Sequence, residues 1–66
     1  MNNKIRVARA EVRMTQQQLA DAAGVSRQTI NAIESGKFVP STVLALKMAQ
    51  IFGKRVEDIF QLEDGD

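Results

Sequence analysis

Apolar residues recur along this chain at helical spacing almost from its start. In NKIRVARAEVR, residues 3–13, Ile5, Ala8 and Val12 stand at i, i+3 and i+7, while Arg6, Arg9 and Arg13 repeat that spacing on another face, which predicts a first amphipathic helix. Thr15, with Gln18 three positions on, has the form of a capping box and predicts a second helix over 16–23, stopped by Gly24. Leu19 and Ala23 face inward on it, and the small Ala20 lets another helix cross closely. Ser26 caps a third helix that ends near Ser35, with Gly36 behind it. KFVP then reads as a loop, since Pro40 disfavours helical backbone at Val39, and Ser41 caps a fourth helix reaching Gly53. There Ala45, Met48, Ala49 and Phe52 form the inward stripe, with Leu44 and Ile51 at its edge and Leu46 far outside it. Val56, Ile59 and Phe60 mark a short fifth segment. No run of strand period, internal repeat or linker interrupts the pattern. The expectation is one compact, all-α, five-helix domain spanning residues 1–66.

The third helix carries the sharpest chemical signal. At about 100° per residue, Ile30 and Ile33 share one side and point to the core. The opposite arc holds Gln28, Asn31, Ala32 and Ser35, with Arg27 at its edge. Ordinary solvation also produces polar helix faces, but it favours Lys and Glu. Arginine can fork onto O6 and N7 of guanine, and Gln or Asn can pair with N6 and N7 of adenine, so this set suits the major groove of DNA. The preceding helix, ended by Gly24 and followed by Val25 as a corner plug, makes the pair a helix-turn-helix over about 16–35.

From MTQQQLADAAGVSRQTINAIESGK onward, and through PSTVLALKMAQIFG, the chain resembles the phage-repressor-like, or Xre-type, helix-turn-helix family. Gln16 opens the motif, Leu19 and Ala20 pack, Gly24 turns, Ile30 and Ile33 anchor the recognition helix, and IESGK closes it. The resemblance implies that Arg27, Gln28 and Asn31 meet base edges, with Ser26 and Thr29 near bases or backbone. It implies that Gln16 donates to a phosphate and braces the start of the recognition helix. It also implies that Lys37, with the backbone amides around Ser35 and Gly36, holds a second phosphate. Arg9 and Glu34 match a pair that joins the first and third helices in a buried salt bridge. One position departs from the pattern: the family commonly has glycine before the second helix, where this chain has Arg13. Arginine disfavours positive φ, so the first helix is expected to end differently. Arg13 either lies near the phosphate backbone or is simply solvated.

Charge sharpens the choice of partner. The formal net charge of +1 conceals nine Lys or Arg against Glu11, Asp21 and Glu34 up to Arg55, followed by five acids and no base. A basic body suits a polyanion such as double-stranded DNA, although scattered solubilising charge is the plain alternative. The acidic tail, about 57–66, admits three readings: it orients the basic surface by repelling DNA, it binds a partner or ion, or it is an inert solvated end, which is the reading we adopt. Its acids lack the spacing of an EF-hand. With no His and no Cys, the commonest metal ligands, a general base and disulfides are all missing, and no metal or cofactor is expected. No run approaches the length of a membrane span and no signal sequence is visible, so the expected location is the cytoplasm.

A chain of 66 residues buries only about 60% of its unfolded surface. The resemblance implies a dimer on inverted-repeat operators. Leu44, Ile51, Val56, Ile59, Phe60 and Leu62 offer more apolar surface than such a core readily hides, and are the expected twofold interface. The alternative is that the fifth segment folds back as a lid on the core. Three functions follow: a DNA-binding transcriptional regulator acting as a repressor; an antitoxin-like module that uses the same fold to bind another protein; and, least supported, an enzyme, for which neither paired acids nor a phosphate loop is present.

Overall fold

The computed structural model describes residues 1–66. Its elements are β1 (Asn2–Asn3), α1 (Ile5–Glu11), α2 (Gln16–Ala23), α3 (Arg27–Glu34), α4 (Thr42–Phe52), α5 (Val56–Ile59) and β2 (Phe60–Gln61). Side chains cap the starts of three helices. Thr15 Oγ1 accepts the Gln18 N–H at 3.0 Å while Gln18 Oε1 accepts the Thr15 N–H at 2.9 Å, closing the capping box of α2. Ser26 and Ser41 accept from the amides of Thr29 and Leu44 at 3.1 and 3.2 Å. Each bond satisfies a donor that the first turn leaves without a helical partner.

The ends of α1 to α4 share one geometry. A residue of positive φ follows each helix, and the next amide reaches back to a carbonyl five residues earlier. Glycine holds that position after three of them, and Arg13 holds it after α1, at φ 54°. The expected difference at this turn is therefore corrected: arginine adopts the glycine conformation. Met14 N–H bonds to Arg9 O at 2.9 Å, Arg13 N–H to Ala10 O at 3.2 Å, and the Arg9 guanidinium donates to Met14 O at 2.9 Å. These three bonds hold the left-handed residue against a cost of about 1–2 kcal/mol.

Thirteen apolar residues form one buried core, drawn from α1 to α5 and Phe60. Leu19, Ala20 and Ala23 of α2, with Ile30 and Ile33 of α3, fix the crossing of those two helices. Leu44, rather than Ala45, joins Met48, Ala49 and Phe52 on the buried face of α4, and Ala45 is half-buried. Val12 is exposed, because α1 stops at Glu11 before the next inward position is reached.

The two chain ends differ most from expectation. β1 and β2 pair antiparallel, Asn2 opposite Gln61 and Asn3 opposite Phe60, and Lys4 N–H extends the pairing to Ile59 O at 2.7 Å. Two-residue strands are too short to leave an alternating pattern in the sequence. The acidic end is accordingly not a free solvated tail: the Met1 ammonium lies 3.1 Å from both Glu63 and Asp66. This closure also explains a correction to the expected interface. Ile59 is fully buried, and Phe60 and Leu44 nearly so, in the protomer's own core, which leaves them no surface for a partner. Ile51 and Val56 are half-buried and Leu62 is exposed. No helix is long and apolar enough to cross a membrane.

Candidate nucleic-acid interface

The two isoleucines of α3 determine what the helix presents. With Ile30 and Ile33 buried, Arg27, Gln28 and Asn31 are exposed together on the outer side and Ala32 is half-buried beside them. Arg27, Gln28 and Asn31 line one shallow polar depression together with Gln17 of α2. A second depression continues it through Gln16, Thr15 and Arg9, and a third runs along α3 from Gln28 and Asn31 past Ser35 to Lys37. The surface is thus a band of amides, hydroxyls and cations with almost no apolar side chain, and the side chains of Arg27, Gln28 and Asn31 take no part in the hydrogen bonds that surround them.

Behind this band lies a nearly buried carboxylate. Glu34, with 1% of its side chain exposed, accepts two bonds from Arg9 at 2.8 and 3.2 Å and one from the Gln16 amide at 2.7 Å. One residue at the end of α3 therefore ties together α1, the start of α2 and, through Arg9, the α1–α2 turn. Asn3 adds a further tie, donating to Ile33 O at 2.8 Å. Fully hydrogen-bonded charges can be buried without the penalty of an orphan, and no buried side-chain polar atom lacks a partner.

The geometry redistributes several expected roles. Gln16 braces the end of the recognition helix, through Glu34, rather than its start; this engages one of its two amide protons. Ser26 Oγ caps α3 by accepting the Thr29 N–H and sits 3.0 Å from Thr29 Oγ1, so the two hydroxyls bond to each other, and Thr29 is half-buried. The amides of Ser35, Gly36 and Lys37 are bonded to Asn31 O, Ile33 O and Ala32 O at 3.0, 3.0 and 2.9 Å, and Ser35 Oγ to Ala32 O at 3.1 Å. Those amides are not free to hold a phosphate, and a helix C-terminus carries partial negative charge that disfavours one. The Lys37 side chain remains exposed for that task, as does Arg13. Gln17 belongs to the surface but not to the set expected from sequence, because its place beside Arg27 depends on the α2–α3 crossing rather than on spacing within one helix.

A compact helical pair, locked from behind and polar in front, is what the Helix-turn-helix family model also recognises, matching residues 5–59. The chain belongs to the Xre-type helix-turn-helix family. Two relatives span it almost end to end. An HTH-type transcriptional regulator of Methanocaldococcus jannaschii is 53% identical, with all of both chains covered. The HTH-type transcriptional regulator YgzD of Bacillus subtilis is 45% identical, with 97% of each chain covered. Among solved structures, the restriction-modification controller protein C.AhdI from Aeromonas hydrophila superposes with a TM-score of 0.78 at 27% identity, covering 85% of each chain. This Xre-type chain is thus a DNA-binding transcriptional regulator, and its family is not an enzyme class.

Proposed function

We propose that the protein is a repressor that binds an inverted-repeat operator as a homodimer, with α3 lying in the major groove. The observation that carries this reading is the free, outward grouping of Arg27, Gln28 and Asn31 on a helix whose other side is held by Ile30 and Ile33. A guanidinium and two amides match the edges of guanine and adenine. Gln16, through its second amide proton, and Arg13 and Lys37 flank that group as phosphate holders, whereas the amide and hydroxyl donors of Ser35 are already engaged. Ser26 and Thr29 support it through the cap and approach the same strand.

The homodimer is proposed through the half-buried Ile51 of α4 and Val56 of α5 and the exposed Leu62 beyond β2. The likeness to a restriction-modification controller supports a regulatory role, which we propose is governed by the protein's concentration, by dimerisation or by a protein partner. Val43 and Leu46, exposed on the outer side of α4, favour a second, antitoxin-like reading in which the fold also holds another protein.

The test is selection of binding sites from a randomised duplex pool, followed by affinity measurements on the winner across salt concentrations. The proposal expects an enriched inverted repeat with half-site centres one helical turn apart and a steep loss of affinity with salt. Weak, uniform binding to every duplex would sink the operator reading and favour the protein-binding one.

A further inference from the structure

We infer that Gln17, on α2 rather than α3, is a further sequence-reading residue, which receives a hydrogen bond from an exocyclic amino group of a base through its amide oxygen. This rests on the operator reading above. Gln17 is the second residue of α2, exposed, and it lines the same depression as Arg27, Gln28 and Asn31. It also lines the neighbouring depression with Gln16 and Arg27, which places it between a phosphate holder and a base reader.

The orientation of its amide is set by its own helix. Gln17 Nε2 donates to Asp21 Oδ1 at 2.9 Å, one turn further along. An ionised carboxylate only accepts, so a reversed amide would put two acceptors face to face and lose the bond. Nε2 therefore stays on Asp21 through one of its two protons, and Oε1 is the acceptor left for a ligand. Phosphate oxygens are acceptors and offer nothing to Oε1. In the major groove the donors are N6 of adenine and N4 of cytosine, so those bases are the ones this oxygen selects. The negative charge of Asp21 beside the amide also opposes a phosphate at this point. Asp21 is a positioning residue in this scheme: it holds the amide and touches no base.

The competing chemistry is a phosphate contact through the second Nε2 proton, and the test separates the two. The protein as described, Gln17→Ala, Asp21→Ala and Gln28→Ala are each carried through site selection, and affinities are measured on the selected and on random duplexes across salt. Gln17 and Asp21 are exposed, and alanine is a strong helix former, so the fold is kept. The inference expects a preference for A or C at one position per half-site that Gln17→Ala abolishes. That variant should bind the best site roughly 3- to 10-fold more weakly, with binding to random DNA and the salt slope unchanged. Asp21→Ala should blur the same position, since the freed amide can present either end. An unchanged base preference in Gln17→Ala, while Gln28→Ala shifts its own position, overturns this inference and leaves the operator reading standing. A uniform loss on all duplexes with a flatter salt slope assigns Gln17 to a phosphate and overturns it too. Absence of any enriched site for the unsubstituted protein overturns both.

Discussion

Arg9 Nη2 and Glu34 Oε1 lie 2.8 Å apart, with 15% and 1% of their side chains exposed, and this pair joins α1 to the end of α3. The same carboxylate takes the Gln16 amide, and the same guanidinium takes the carbonyl of the α1–α2 turn. Glu34→Ala would leave Arg9 without its counter-charge. We expect a loss of about 3–5 kcal/mol, as for other broken buried pairs, measured as the urea midpoint at constant slope. The double variant Arg9→Met, Glu34→Leu should recover a large part of it, because no orphaned charge remains. If Glu34→Ala unfolds at the same urea concentration as the parent, the pair does not anchor α3.

Arg13 sits where glycine sits after α2, α3 and α4. Arg13→Gly should raise stability by about 1 kcal/mol, since glycine tolerates left-handed backbone. If Arg13 holds a phosphate, the same variant should bind DNA more weakly and reduce the salt slope by about 1. Thermal unfolding and a salt titration read the two effects separately. Greater stability with unaltered DNA binding would mean that Arg13 is merely solvated.

Ile59 and Leu62 lie three residues apart yet answer to different forces. Ile59 is fully buried, so Ile59→Asp places an unpaired charge in the core and should unfold the protomer outright. Leu62 is 82% exposed, so Leu62→Asp should keep the fold and shift the protein toward monomer in sedimentation. A folded Leu62→Asp protein that sediments like the parent would move the interface elsewhere.

The closure of the two ends responds to pH in both directions. Hydrogen bonds that the Met1 ammonium donates to Glu63 and then Asp66 raise it above its ordinary 8.0, so its contribution is complete below that value and fades as alkali removes the proton. Asp66 is lowered from 3.8, first by the Glu63 backbone amide and then by the ammonium, so its contribution is present above that value and fades on acidification. Protection factors of the β1 amides should therefore be highest between about pH 4 and pH 8 and fall on either side. A flat profile would show that the ion pairs add nothing to the closure.

The parts of this fold that depend on neighbours in sequence were legible from the chain alone. Thr15–Gln18, Ser26 and Ser41 announce three helix starts, and Gly24 and Gly53 announce two ends, because caps act over a few residues. The outward face of α3 followed from Ile30 and Ile33 for the same reason. What stayed hidden depends on distant partners. The β1–β2 pairing joins residues almost sixty apart, so Ile59 and Phe60 looked like spare apolar surface when they are core. Gln16 and Gln17 occupy consecutive positions, and only the α2–α3 crossing turns one toward Glu34 and the other toward Arg27. Arg13 resisted prediction because propensity argued against its conformation and tertiary hydrogen bonds overrode it.

The claim on which all else rests is that α3 reads bases while Lys37 holds the backbone. The most direct measurement is the affinity of Gln28→Ala and Lys37→Ala for the selected duplex and for a panel of its single-base variants. Gln28→Ala should lose about 1–3 kcal/mol on the best site and become indifferent to one base pair, keeping its discrimination elsewhere. Lys37→Ala should weaken every duplex alike and flatten the salt dependence. Equal losses from both variants on every duplex would contradict base readout by α3.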